Sequence, residues 1–130
     1  MDYKQFSETF LNAMRTGDKE TMSAMLAPDF MVVEPAGLPY GGTYHGLDGW
    51  LALTKAVVAS WAKFRLEWLG YAGEAPDSLV VHFAISGQSR KTGKPFKSEV
   101  LEYWRFREGK LIRIDPFYFD THLLAEANKQ

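Results

Sequence analysis

The chain has 130 residues, 46% of them hydrophobic and 24% charged, with no cysteine and a formal net charge of -1. That composition suits one globular domain, read here as residues 1–130, which can bury roughly two thirds of its unfolded surface without a disulfide or a metal. Thiol nucleophiles, thiolate zinc sites and iron–sulfur clusters are excluded, and the evenly spread charge offers no footprint for nucleic acid or an anionic membrane.

In chain order, Phe6, Phe10, Leu11 and Met14 recur at helical spacing between Asp2 and Arg15, and Gly17 supplies the stop. Asp18 is a good N-cap for a short second helix carrying Met22, Met25 and Leu26, which Pro28 ends. Phe30 to Glu34 reads as a strand. Residues 35–49 hold two prolines and five glycines, with room for a short strand at Thr43-Tyr44-His45. Asp48 is expected to cap a third helix whose stripe is Trp50, Leu51, Thr54, Val57, Val58 and Trp61. The period then falls to 2 in Phe64 to Ala72, Leu79 to Arg90, Phe96 to Arg107 and Leu111 to Phe119. Short turns between long alternating runs predict an antiparallel meander, so the fold class is α+β with the helices on one face of a curved sheet. Asp2 and Glu8 stand where a leader would be basic, and no apolar run has the length of a membrane span, so a cytoplasmic protein is expected.

Alternation also assigns faces. Phe96, Ser98, Val100, Glu102, Trp104 and Phe106 form the inward set of their strand, which places an acid between Val100 and Trp104. Phe30, Val32 and Glu34 form another, ending in a second acid directly before Pro35. Leu79, Val81, Phe83 and Ile85 point inward, while the outward set of that strand, which includes His82, is mild rather than charged, as a subunit interface would be. Two inward carboxylates among aromatics are the ingredients of acid/base chemistry, because surroundings can keep one protonated and the other ionised. The plain alternatives are a strand-end Glu34 reaching solvent and a buried Glu102 satisfied by a tyrosine or an arginine. An aromatic content of 15% points to a lined pocket, an interface, or both. Trp50, Trp61 and Trp68 are assigned to core or interface, and Trp104 and Tyr118 to ligand contact.

Other constellations offer less. His45 is either a second base at a pocket mouth or simply exposed. Asp115, Asp120 and His122 lack metal-ligand spacing, and there is no nucleophile elbow, phosphate loop or dinucleotide fingerprint. Neither a metal nor a cofactor is expected.

With these elements in place, the runs VVEPAGLPYGGTYHGLDGW and WRFREGKLIRIDPFYFD resemble the nuclear-transport-factor-2-like superfamily, in its SnoaL-like and ketosteroid-isomerase-like branch. The resemblance covers nearly the whole chain. It implies a conical α+β barrel, a curved mostly antiparallel sheet wrapped around three helices with an internal pocket, and a homodimer paired through the outer sheet face. By the same resemblance, Glu34 before Pro35 takes the place of the general base, and Glu102, followed by Arg105-Phe106, that of the protonated donor. Each is one methylene longer than the usual aspartate. The donor tyrosine of the isomerases is replaced by Phe10, leaving Tyr118, Tyr40 or Tyr44 to substitute. The implied pocket lining is Phe10, Tyr40, Tyr44, Phe83, Val100, Trp104 and Pro116. These readings lead to a small, largely apolar, oxygen-bearing ligand. Two alternatives stand: isomerisation, cyclisation or dehydration through Glu34, Glu102 and Tyr118, or a noncatalytic binding or dimerisation module.

Overall fold

The computed structural model describes residues 2–130. Its elements are α1 (Tyr3–Thr16), α2 (Lys19–Met25), β1 (Leu26–Glu34), β2 (Gly42–His45), α3 (Gly46–Ser60), β3 (Trp61–Ala75), β4 (Ser78–Ser89), β5 (Pro95–Arg107), β6 (Lys110–Tyr118) and α4 (Thr121–Ala127). The first two helices are held as their sequences dictate. The Asp2 and Asp18 carboxylates accept from the N–H groups of Gln5 and Thr21, and Gly17 closes α1 at φ 71°, satisfying backbone groups that helix ends leave unpaired.

Four assignments depart most from the expectation. Strand β1 begins at Leu26, with Pro28 inside it, because its ladder with β6 shifts register between Leu26 and Met31. A proline fits such an irregularity, where a missing N–H breaks no regular ladder. Helix α3 starts at Gly46 rather than after Asp48, so Asp48 sits in the first turn, where a carboxylate favours the helix dipole. Trp61 does not belong to the stripe of α3; it opens β3, three residues before the expected strand start. Helix α4 was not expected at all: seven residues carry too little periodicity to read, although Asp120 caps it through Leu123 and Leu124 is fully buried.

The six strands form one curved, open sheet in the order β2-β1-β6-β5-β4-β3, so β2 and β3 remain edges. All neighbours are antiparallel except β1 and β6. The long strands β3 to β6 make the expected meander. Its last hairpin turns on Glu108 and Gly109, both at positive φ (50° and 75°), the conformation a two-residue hairpin of matching twist requires. A one-residue register shift follows between Arg105 and Phe106, and beyond it Glu102 faces Pro116 and Val100 faces Tyr118.

The helices cover the concave face. Phe10, fully buried, meets Trp50 and Trp104 edge-on at centroid distances of 5.4 and 5.7 Å, tying α1 to α3 and β5. The opposite face of β4, β5 and β6 carries polar pairs, His82 with Glu99 and Asp115 between Arg105 and Arg113, beside the exposed side chains of Leu101 and Phe117. Among the described residues, no helix is long and apolar enough to cross a membrane.

Candidate functional site

Sheet register brings the two acids to one place. Val32 of β1 pairs with Ile114 of β6; Glu34 stands two residues beyond Val32 on β1, and Pro116, paired with Glu102, two residues beyond Ile114 on β6. Two strand spacings, about 10 Å, separate the backbones of the two glutamates, and both side chains lie on the concave side. Together they line a cavity of about 570 Å³ bounded by α1, α3 and the sheet. Pockets of this size hold small organic ligands. Its walls are mostly apolar, with Leu11 and Met14 from α1, Leu53 and Val57 from α3, and Phe83 and Val100 from the sheet.

Glu34 is 7% exposed, so it does not reach solvent at the strand end. Its Oε1 has no hydrogen-bond partner in the protein. Burial, and then the charge of Glu102, push its carboxyl up to about 8, while the neighbouring Tyr118 hydroxyl opposes part of the rise. Glu102 is half-buried and accepts from the Trp104 indole N–H through Oε1 at 3.0 Å. Its partner is thus neither a tyrosine nor an arginine. Burial pushes Glu102 up to about 7 against that hydrogen bond. Two interacting carboxyls titrate as a pair, and near neutral pH this pair holds about one proton. The indole N–H favours charge on Glu102, whereas the unpartnered oxygen favours the proton on Glu34. These surroundings favour the proton on Glu34, whereas the resemblance implied Glu34 as the ionised base and Glu102 as the neutral donor.

The loop after β1 supplies the tyrosines. Leu38 N–H donates to the Pro35 carbonyl and Gly41 N–H to that of Leu38, folding residues 35–41 tightly over the cavity. A side chain at Gly41 would stand 2.5 Å from the Pro35 oxygen, so the close approach requires glycine. The loop buries Tyr40 to 3% exposure. The Trp61 indole N–H donates to the Tyr40 hydroxyl at 3.1 Å, and the Tyr40 and Tyr118 hydroxyls are 3.3 Å apart. Burial, with Tyr40 and Glu34 nearby, drives the Tyr118 hydroxyl far above its ordinary range, so it keeps its hydrogen.

Of the residues singled out from sequence, Glu34, Glu102, Tyr118, Tyr40, Phe83, Val100 and Pro116 line the cavity together. Phe10, Tyr44 and Trp104 are not part of the lining. Phe10 is core packing, Trp104 stands behind Glu102 as its donor, and the Tyr44 hydroxyl is used on the Tyr40 carbonyl at 2.8 Å. His45 is an exposed residue at the start of α3, also outside the lining. Trp50 and Trp68, assigned to core or interface, do line the cavity. Sequence reasoning also missed Leu66 on β3. That strand shifts register between Ala62 and Arg65 and again between Trp68 and Gly70, which scrambles a simple odd–even reading. No group of three or more His, Asp or Glu side chains is placed to hold a metal among the described residues.

With this geometry in place, likeness to known proteins is informative. A sequence model of the SnoaL-like domain matches residues 7–114. A solved NTF2-like protein from Burkholderia thailandensis is 28% identical, with a TM-score of 0.84 over 97% of this chain and 96% of that one. Two more distant structures share the fold. TerC, co-crystallised with polyporic acid, is 23% identical with a TM-score of 0.76 over 94% of each chain. IdmH, a putative polyketide cyclase from Streptomyces antibioticus, is 19% identical with a TM-score of 0.71 over 97% of this chain and 98% of that one. The sequence finds no match among curated proteins. The matched length and the shared architecture show that this chain belongs to the SnoaL-like family of the nuclear-transport-factor-2-like superfamily.

Proposed function

We propose that the protein is an acid/base enzyme acting on a small, largely apolar molecule that carries a carbonyl or enol oxygen. The carrying observation is the pair of Glu34, which is buried, and Glu102, which is half-buried, two carboxyls on one mostly apolar cavity that share about one proton near neutral pH. In the resting state Glu102 is the proton acceptor and Glu34 the proton donor. Tyr118, whose hydrogen stays in place, is the supporting donor to an oxyanion that develops on the substrate. Removal of a proton beside a carbonyl, its return elsewhere on the carbon skeleton, or loss of a hydroxyl would give isomerisation, cyclisation or dehydration. The polyporic acid of TerC and the cyclase description of IdmH favour oxygenated, ring-bearing substrates. A homodimer through the outer face of β4 to β6 is part of the same reading, supported by the exposed Leu101 and Phe117 there.

The test is exchange of the α-protons of an apolar cyclic ketone, 2-tetralone, in deuterated water. Wild-type protein should accelerate exchange, and Glu102→Gln should lower that acceleration by about 100-fold or more, the usual contribution of a positioned base. Binding of the ketone without any exchange above buffer would instead support a noncatalytic pocket protein.

A further inference from the structure

We propose that Trp61 and Tyr40 are positioning residues, a one-way chain of donors that aims the Tyr118 hydroxyl hydrogen at Glu34 and at the ligand oxygen beside it. The inference rests on the reading of Glu34 and Tyr118 just given, and adds to it two residues in contact with each other, one from the loop after β1 and one from the first position of β3.

The direction of the chain follows from counting hydrogens. An indole N–H can only donate, so the 3.1 Å contact makes the Tyr40 oxygen an acceptor from Trp61. Tyr40 is buried and its hydroxyl has one hydrogen of its own, which needs an acceptor. Among the described residues the only acceptor bonded to that hydroxyl is the Tyr118 oxygen at 3.3 Å. If Tyr118 donated to Tyr40 instead, the Tyr40 hydrogen would have no acceptor in the protein and would be left to the cavity that Tyr40 lines. Tyr40 therefore donates to Tyr118, and the Tyr118 hydrogen is left for Glu34 or a ligand. Tyr44 cannot compete for this place, because its hydroxyl is held by the Tyr40 carbonyl. Each donor polarises the next, so the last hydroxyl becomes the better donor.

Trp61 itself is rigid. It is fully buried, packed edge-on against Phe96 with centroids 4.8 Å apart, at the point where α3 passes directly into β3. The backbone thus fixes the first donor, and the tight loop at residues 35–41 fixes the second. The titratable groups facing Glu34 are Glu102 from β5, Tyr118 from β6, Tyr40 from the loop and Tyr44 from β2.

The test is a mutant cycle read by the carboxyl-carbon NMR titration of Glu34 in the ligand-free protein. Trp61→Phe should raise the Glu34 midpoint by a few tenths of a pH unit when Tyr118 is present and leave it unmoved in the Tyr118→Phe background. Tyr40→Phe should behave in the same way, and serves alone if Trp61→Phe does not fold. Equal shifts in both backgrounds, or no shift in either, would overturn the chain and reduce Trp61 and Tyr40 to packing. A wild-type Glu34 that titrates like an exposed glutamate would instead overturn the acid/base reading itself, so the two failures are distinguishable.

Discussion

Replacing Glu34 by Gln should make the protein more stable at alkaline pH and little changed at acid pH. In the folded state Glu34 titrates at about 8 against an ordinary value of 4.5, so between these values the native state binds more protons than the unfolded chain. Stability from this group is therefore fully present below about pH 4.5 and is lost as pH rises through 8. The difference of 3.5 units corresponds to an upper bound on the order of 5 kcal/mol, at 1.36 kcal/mol per unit. Part of it belongs to the interaction with Glu102 and vanishes only when either acid is removed. An amide keeps the volume and the acceptor for Tyr118 but carries no charge. Urea unfolding of wild type and Glu34→Gln at pH 5, 7 and 9 should show curves that diverge with pH, the variant gaining on the order of 3 kcal/mol relative to wild type between pH 5 and 9. With a urea slope of about 2 kcal/mol/M, that is a midpoint difference of about 1.5 M. Parallel curves across this range would refute the claim that Glu34 is a buried acid held away from its ordinary state.

Further consequences concern the neighbours and the outer face. Trp104→Phe removes the indole donor to Glu102, so the Glu102 midpoint should rise above 7 in an NMR titration and calorimetry should show a destabilisation of about 1–3 kcal/mol. Asp115 behaves in the opposite sense. Burial pushes its carboxyl up, but Arg113 and Arg105 together hold it below the ordinary 3.8. Its stabilisation is present above that value and fades as pH falls, so Asp115→Asn should flatten the acid limb of the stability curve below about pH 4. Leu101→Asp, in the exposed apolar strip, and His82→Asp, which sets a second carboxylate against Glu99 where His82 now lies at 2.5 Å, should each weaken self-association in ultracentrifugation. An unchanged dimer after both substitutions would remove the interface from this face.

The pattern of residues made much of this legible. A period of 2 over long runs, broken only by short turns, located four strands within one to three residues at most ends, and the alternation in β5 turned Glu102 inward without any structure. Glu34 was legible because a strand with two inward apolar residues has its next inward position fixed. What escaped has physical causes. The end of α3 and the start of β3 are contiguous, so nothing punctuates the chain at Trp61 and a helical stripe runs on through it. Lys63 adopts φ 53°, and the register shifts in β3 change which residues face inward, hiding Trp68 and Leu66 from a reading by alternation. The roles of tyrosines cannot be read from spacing at all. Tyr40 in the loop and Tyr44 in β2 are only four residues apart, yet the Tyr44 hydroxyl is used on backbone and that of Tyr40 joins Tyr118, a difference that only the folded chain decides.

The most direct measurement is the carboxyl-carbon NMR titration of Glu34 and Glu102 in the ligand-free wild-type protein. Two coupled steps with apparent midpoints near 7 and 8 are expected, the signal of Glu102 responding first as pH rises. Independent midpoints at about 4.3 for both carboxyls, the value of an unperturbed glutamate, would contradict the shared-proton pair and with it the acid/base function.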